Sequence, residues 1–224
     1  MTPIAQAIND IRSTLPEGVE LLAVSKFHPV EALQQAYDAG QRAFGESRVQ
    51  ELLSKIPVLP DDIRWHFIGH LQTNKVRQLV STGRIALIES VDSERLLRLI
   101  DSESERAGVT SHVLMQVHVA QEETKTGFLP DELLDYFRRR AFESLHATEI
   151  CGIMGMASNT DDDARIAADF AAIAAVKNEI AALCPDLSGF TTVSMGMSHD
   201  YPAAVAAGST LVRVGSAIFG DRQY

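Results

Sequence analysis

The chain has 224 residues, 46% hydrophobic and 22% charged, enough to bury a sizeable core without disulfide staples. Its net charge of -10, from 20 basic and 30 acidic residues, argues against non-specific binding to nucleic acid or to an anionic membrane surface. It leaves room for a small anionic ligand, since a few backbone amides and one Arg suffice to hold a phosphate.

The N-terminal segment MTPIAQAINDIRSTL is amphipathic and predicts a helix, not a signal peptide. ELLAVSK (20–26) predicts the first buried strand, and PVEALQQAYDAG a helix opened by Pro29 and closed by Gly40. RAFGES (42–47) is the second strand, followed by helical RVQELLSKI. WHFIG (65–69) and IALIESV (85–91) are the third and fourth strands, backed by QTNKVRQLV and SERLLRLIDSESERAG. SHVLMQVHVA (111–120) is the fifth, with PDELLDYFRRRAFES behind it. EICGIMGMAS (149–158) is the sixth, before a long helix over 161–183. TTVSMGM (191–197), the short helix DYPAAVAAG, LVRVG (211–215) and helical SAIFG complete the pattern.

Eight near-continuously apolar strands alternating with helices predict a parallel sheet covered on both faces. Eight repeats favour a closed (β/α)8 barrel, with one extra N-terminal helix, as a single domain over 1–224. An open doubly wound sheet is the runner-up, but no GxGxxG follows the first strand. In a barrel, the ligand sits at the C-terminal strand ends, and a phosphate often lies after strands seven and eight. Those ends carry Lys26, the Ser194–Ser198 stretch, and Arg213 with Gly215 and Ser216. Gly196 and Gly215 permit close backbone approach; Ser194, Ser198 and Ser216 add hydroxyls; Gly215-Ser216 opens a helix whose amides favour an anion. A lysine near cationic neighbours has a lowered pKa, and its neutral amine attacks carbonyls. Together these groups match an aldehyde-bearing phosphate cofactor.

Several motifs carry a resemblance. AVSKFHP, FGESRVQE, WHFIGHLQTNKVR, SMGMSHD and RVGSAIFG, in this order from about Leu21 to Gly220, resemble the pyridoxal phosphate homeostasis protein family. That family is similar in fold to the N-terminal barrel of alanine racemase. The resemblance implies pyridoxal 5′-phosphate as cofactor, held as a Schiff base on Lys26. It implies a phosphate cradle from Ser194, Gly196 and Ser198 with Gly215 and Ser216, and it sets Arg213 against the pyridine nitrogen. Ser47 stands where the family usually has Asn near the ring, so a lost or water-mediated contact is expected there. His70 and Lys125 receive no role.

Asp161, Asp162 and Asp163 precede a long helix and complement its dipole, and the histidines lack ligand spacing, so no metal is expected. Arg138, Arg139 and Arg140 read as a solvated helix face. Cys151 and Cys184 form no CxxC pair and read as buried apolar residues of a reducing compartment. No apolar run approaches the ~20 residues that span a bilayer, so a cytoplasmic protein is expected. Three functions compete: a carrier that buffers pyridoxal phosphate or delivers it to apoenzymes, a weak amino-acid racemase using Lys26 as one base, and a sugar-phosphate barrel enzyme with Lys26 condensing on substrate. None of Tyr37, Tyr136, Tyr201 and Tyr224 carries a recognised catalytic motif to serve as the racemase's second base, and the β-domain that supplies it in alanine racemase is not expected here. The carrier reading leads, with a monomer as the expected state.

Overall fold

The computed structural model describes residues 2–121 and 126–220. Strands β1 (Glu20–Val24), β2 (Ala43–Glu46), β3 (Arg64–Phe67) and β4 (Ile85–Val91) run parallel with β5 (Ser111–Gln116), β6 (Thr148–Met154), β7 (Thr192–Ser194) and β8 (Leu211–Val214). They close in chain order, β8 pairing back onto β1 with Leu22 opposite Arg213. The expected barrel is the fold.

Around it lie α1 (Pro3–Thr14), α2 (Val30–Asp38), α3 (Val49–Lys55), α4 (Val76–Val80) and α5 (Glu94–Ala107). The set continues with α6 (Pro130–Arg138), α7 (Asp163–Leu183), α8 (Tyr201–Ala206) and α9 (Ser216–Phe219). Local chemistry explains the ends. The Thr2 side chain accepts from the Ala5 amide, and Pro3 takes the first helical position of α1. Asp162 accepts from the amides of Ala164 and Arg165 at the start of α7, so one aspartate of the expected dipole-facing group is the cap itself. Gly108, at φ 66°, ends α5 in the left-handed conformation that glycine adopts without a Cβ clash.

Some elements are shorter than the apolar runs that announced them. β5 stops at Gln116, and Val117 makes an isolated bridge to Phe128; β7 keeps only Thr192–Ser194. Strands of a barrel are twisted and tilted, so pairing ends before apolarity does. The helix expected over 130–144 breaks at Arg140, whose φ of 51° separates α6 from a 3-10 turn at Ala141–Ser144. Thr73–Lys75 likewise forms a 3-10 turn before α4.

The core has two shells. Strand side chains pointing outward meet the helices, with Phe44, Trp65 and Phe67 among the largest fully buried. Those pointing inward fill the barrel, where Leu22, Ala43, Leu87, Leu114, Met154 and Leu211 pack together. Each leucine so buried contributes roughly 2 kcal/mol over its exposed state. Cys184 is buried and Cys151 half-buried, and burial raises both thiols above their ordinary range. Among the described residues no helix is long and apolar enough to cross a membrane, and no cluster of three metal-binding side chains occurs.

Candidate functional site

Strand alternation aims the first candidate. On β1, Leu22 packs inside the barrel while Leu21 and Ala23 pack outside, so Val24 and Lys26 follow the inner face. Lys26 thus reaches a cavity of about 240 Å³ at the C-terminal mouth. Val24, Ile68, Met156 and Met197 give it apolar walls, and Ser198, His199, Arg213, Gly215 and Ser216 give it polar ones. Five sequence candidates therefore share one cavity: Lys26, Ser198, Arg213, Gly215 and Ser216. The amides of Gly215 and Ala217 both point to one oxygen, Ser198 Oγ, at 3.2 and 3.5 Å. A Cβ on Gly215 would stand 3.2 Å from the Val24 carbonyl oxygen, a tight fit between the ends of β8 and β1. His28 stacks on Phe219 with ring centroids 4.9 Å apart, tying the loop after Lys26 to α9.

Three other candidates lie elsewhere. Ser47 lines a neighbouring cleft of about 650 Å³ with Lys26, Arg48, His70, Gln72 and Lys75. Lys26 forms part of both walls, so Ser47 is close to it but on the other side. His70 is exposed, with Nδ1 3.1 Å from Asp92. Gly196 has φ 93°, and a Cβ there would fall 2.6 Å from Ala204 Cβ, so its bareness lets α8 pack on the loop after β7. Ser194 is fully buried inside the barrel, its hydroxyl engaged with Glu89 and Arg213. Lys125 lies outside the described residues.

Two buried polar clusters flank Lys26. Inside the barrel, Arg213 donates to Ser194 Oγ at 2.6 Å and to the Gly155 carbonyl at 3.0 Å. Ser194 donates to Glu89 Oε2 at 2.6 Å, and His66 Nδ1 lies 2.6 Å from Glu89 Oε1. Burial alone raises the Glu89 carboxyl, but the hydrogen bond and charge of His66, with Arg213 and Ser194, outweigh it and hold the group below its ordinary range.

Between barrel and helices, Lys55 Nζ donates to the Ser25 carbonyl at 3.0 Å, to Glu46 Oε1 at 2.7 Å and to Glu51 Oε1 at 2.8 Å. Ser25 Oγ also donates to Glu46 Oε1. Glu46 Oε2 has no hydrogen-bond partner, and burial pushes this carboxyl up to about 7 against the pull of Lys55 and Ser25. Glu51 also accepts from the amide of Phe27 at 2.6 Å. Phe27 sits at φ 67°, rare for a residue with a Cβ, and Arg48 covers its ring at 4.7 Å. The backbone immediately after Lys26 is held in that conformation from the helix side.

Glu89 and His66 were not singled out in the sequence. A readable signal was there: a charged and a polar residue at inward positions of the apolar runs IALIESV and WHFIG, where burial demands partners.

Known proteins place this architecture. The alanine racemase N-terminal domain family matches residues 2–223. The pyridoxal phosphate homeostasis protein of Schizosaccharomyces pombe is 37% identical, over 99% of this chain and 94% of its own. That of Vibrio alginolyticus is 36% identical over 100% of both chains. Among solved structures, PipY of Synechococcus elongatus is 38% identical and covers 97% of this chain and 100% of its own. Its TM-score is 0.91 without pyridoxal phosphate and 0.88 with it bound. Alanine racemase of Bartonella henselae, 19% identical with a TM-score of 0.74, shares the fold over 59% of its own length and 98% of this chain. The chain belongs to the alanine racemase N-terminal domain family and, within it, to the pyridoxal phosphate homeostasis proteins.

Proposed function

We propose that this protein binds pyridoxal 5′-phosphate through a Schiff base with Lys26 and serves the cell's handling of that cofactor, buffering it or delivering it to apoenzymes. The observation that carries the reading is one cavity lined by Lys26, the buried Arg213 and Ser198, whose Oγ accepts from the two backbone amides of Gly215 and Ala217. The relative PipY has been solved with pyridoxal phosphate bound, which supports it further.

The residues fit the group on chemical grounds. The amides of Gly215 and Ala217 converge on Ser198 Oγ, which occupies the acceptor position suited to a phosphate oxygen. Ser198 and Ser216 add hydroxyls at the same end. Val24, Ile68 and Met156 offer apolar faces for an aromatic ring. When bound, the cofactor supplies an aldehyde for an amine and a ring that can withdraw electrons. Arg213 would limit the second property: a permanent donor set against the ring nitrogen, as the resemblance implies, would leave that nitrogen unprotonated. Ser194, Gly196 and Ser47 then act from behind or beside the cavity, Ser194 by holding Arg213 and Gly196 by shaping the loop that carries Ser198. The proposed state is a cytoplasmic monomer without robust turnover.

The test is an absorption spectrum of the purified protein with added pyridoxal phosphate, then borohydride reduction and peptide mass analysis. A visible band and a reduced adduct on Lys26 are expected. A protein that stays colourless overturns the reading. Steady exchange of amino-acid α-hydrogens in heavy water, lost in Lys26→Ala, would replace the carrier role with racemisation.

A further inference from the structure

The inner cluster draws one residue from each of four strands: His66 from β3, Glu89 from β4, Ser194 from β7 and Arg213 from β8. Their exposures are 4%, 0%, 0% and 5%, so the whole chain of contacts is buried. Its direction follows from donor chemistry. A guanidinium can only donate, so Ser194 Oγ accepts from Arg213. The serine has one proton, which goes to Glu89 Oε2. A carboxylate only accepts, so His66 donates through Nδ1 to the other oxygen. Along the line from Arg213 through Ser194, and from His66, each donated proton points toward Glu89, and both its oxygens are used.

We propose that Glu89, braced by His66, is the positioning residue that fixes the Arg213 guanidinium at the wall of the ligand cavity. The inference rests on the reading of that cavity as a pyridoxal phosphate site.

Packing alone gives no reason for this arrangement. Burying a carboxylate and a guanidinium costs several kcal/mol per ion before their attraction is counted, and apolar side chains of similar volume often do as well. Beneath the cluster the barrel is filled in that cheaper way, by Leu22, Leu87 and Leu211. Arg213 and Glu89 form only a long ion pair, 3.9 Å apart without a direct hydrogen bond, and Ser194 spans the gap. With its proton committed to Glu89, the serine must turn a lone pair to Arg213, which sets one edge of the guanidinium; the Gly155 carbonyl sets another. The other acid whose charge acts on Arg213 is Asp200, which accepts from the Met197 amide and is held on the loop after β7. On its far side, His66 lines a second cavity, of about 360 Å³, at the opposite mouth beside Glu20 and Thr192. The cluster therefore joins the ligand cavity to the other end of the barrel.

Glu89→Gln tests this with little change of shape. A glutamine carries an accepting oxygen at one terminal atom and a donating NH2 at the other, so it cannot accept at both positions, where His66 and Ser194 donate. The variant is expected still to give the borohydride-fixed adduct on Lys26, but with pyridoxal phosphate Kd raised about tenfold and the visible maximum of the bound cofactor displaced. Ser194→Ala should shift Kd and maximum in the same direction by less, and it serves as the readout if Glu89→Gln does not fold. Unchanged Kd and maximum, even with a lower Tm, make the cluster merely structural and overturn the inference alone. A wild-type protein that forms no adduct overturns the reading of the cavity and the inference with it.

Discussion

The two buried clusters beside Lys26 contain similar groups and behave oppositely. In the inner one, Glu89 receives a donor on each oxygen and its carboxyl is held below the ordinary range. In the outer one, Lys55 and Ser25 both donate to Glu46 Oε1, Oε2 goes without a partner, and the carboxyl rises to about 7. Burial is nearly the same, 0% exposure for both glutamates, so partner count decides the sign. The inner cluster faces the ligand cavity with fixed charges. The outer one holds the backbone after Lys26 and keeps a group that titrates near neutrality.

Four experiments break or sharpen this contrast. The largest effect belongs to the residue between the clusters. Lys26→Ala removes the amine but neither network, so the reducible adduct should vanish while urea unfolding stays within about 1 kcal/mol of wild type. Adduct mass and chemical denaturation read the two parts separately.

Next is Lys55→Met, which strips the outer cluster of its cation and leaves Glu46 and Glu51 facing each other. Well above pH 7, where Glu46 must ionise, leaving its buried charge uncompensated costs about 3–5 kcal/mol, measurable as a lowered urea midpoint.

The third is pH. Glu46 rises from an ordinary 4.5 to about 7 in the folded state, so between those values the unfolded chain has lost a proton that the folded one keeps. Its contribution to stability is full below pH 4.5 and lost as pH rises through about 7. Glu89 has the opposite sign: a depressed carboxyl contributes above its unfolded value and is lost as pH falls through its folded one. Glu46→Gln should flatten the neutral side of the stability–pH curve, and Glu89→Gln the acid side. Curves whose slopes respond the other way would reverse the contrast drawn here.

The smallest effect is expected at Ser198. Its hydroxyl accepts from two amides that a phosphate would also use, so Ser198→Ala loses one contact to the ligand while freeing the amides. A change in pyridoxal phosphate Kd of no more than about threefold is expected, since a neutral hydrogen bond contributes about 1 kcal/mol net. An equilibrium absorbance titration checks it.

Much of this was legible in the residues themselves. Eight apolar runs alternating with capped helices determine a parallel barrel, because each run must bury both faces and each crossover supplies a helix to cover one. Period two along ELLAVSK put Lys26 on the same face as Leu22, and a glycine-serine pair opening the last helix marked the anion end. Strand and helix ends were less legible, since residues such as Val117 stay apolar after the ladder has parted.

What only the tertiary structure decided is which polar side chains meet. Glu89 and Ser194 lie 105 positions apart, and no local pattern says that their strands face each other across the interior. The same closure drew Ser194 into the barrel while leaving Ser198 in the cavity, and placed Ser47 on the far side of Lys26. Local sequence sets the direction of a side chain through strand periodicity. Its partner depends on the radius and stagger of a closed sheet, which belong to all eight strands at once.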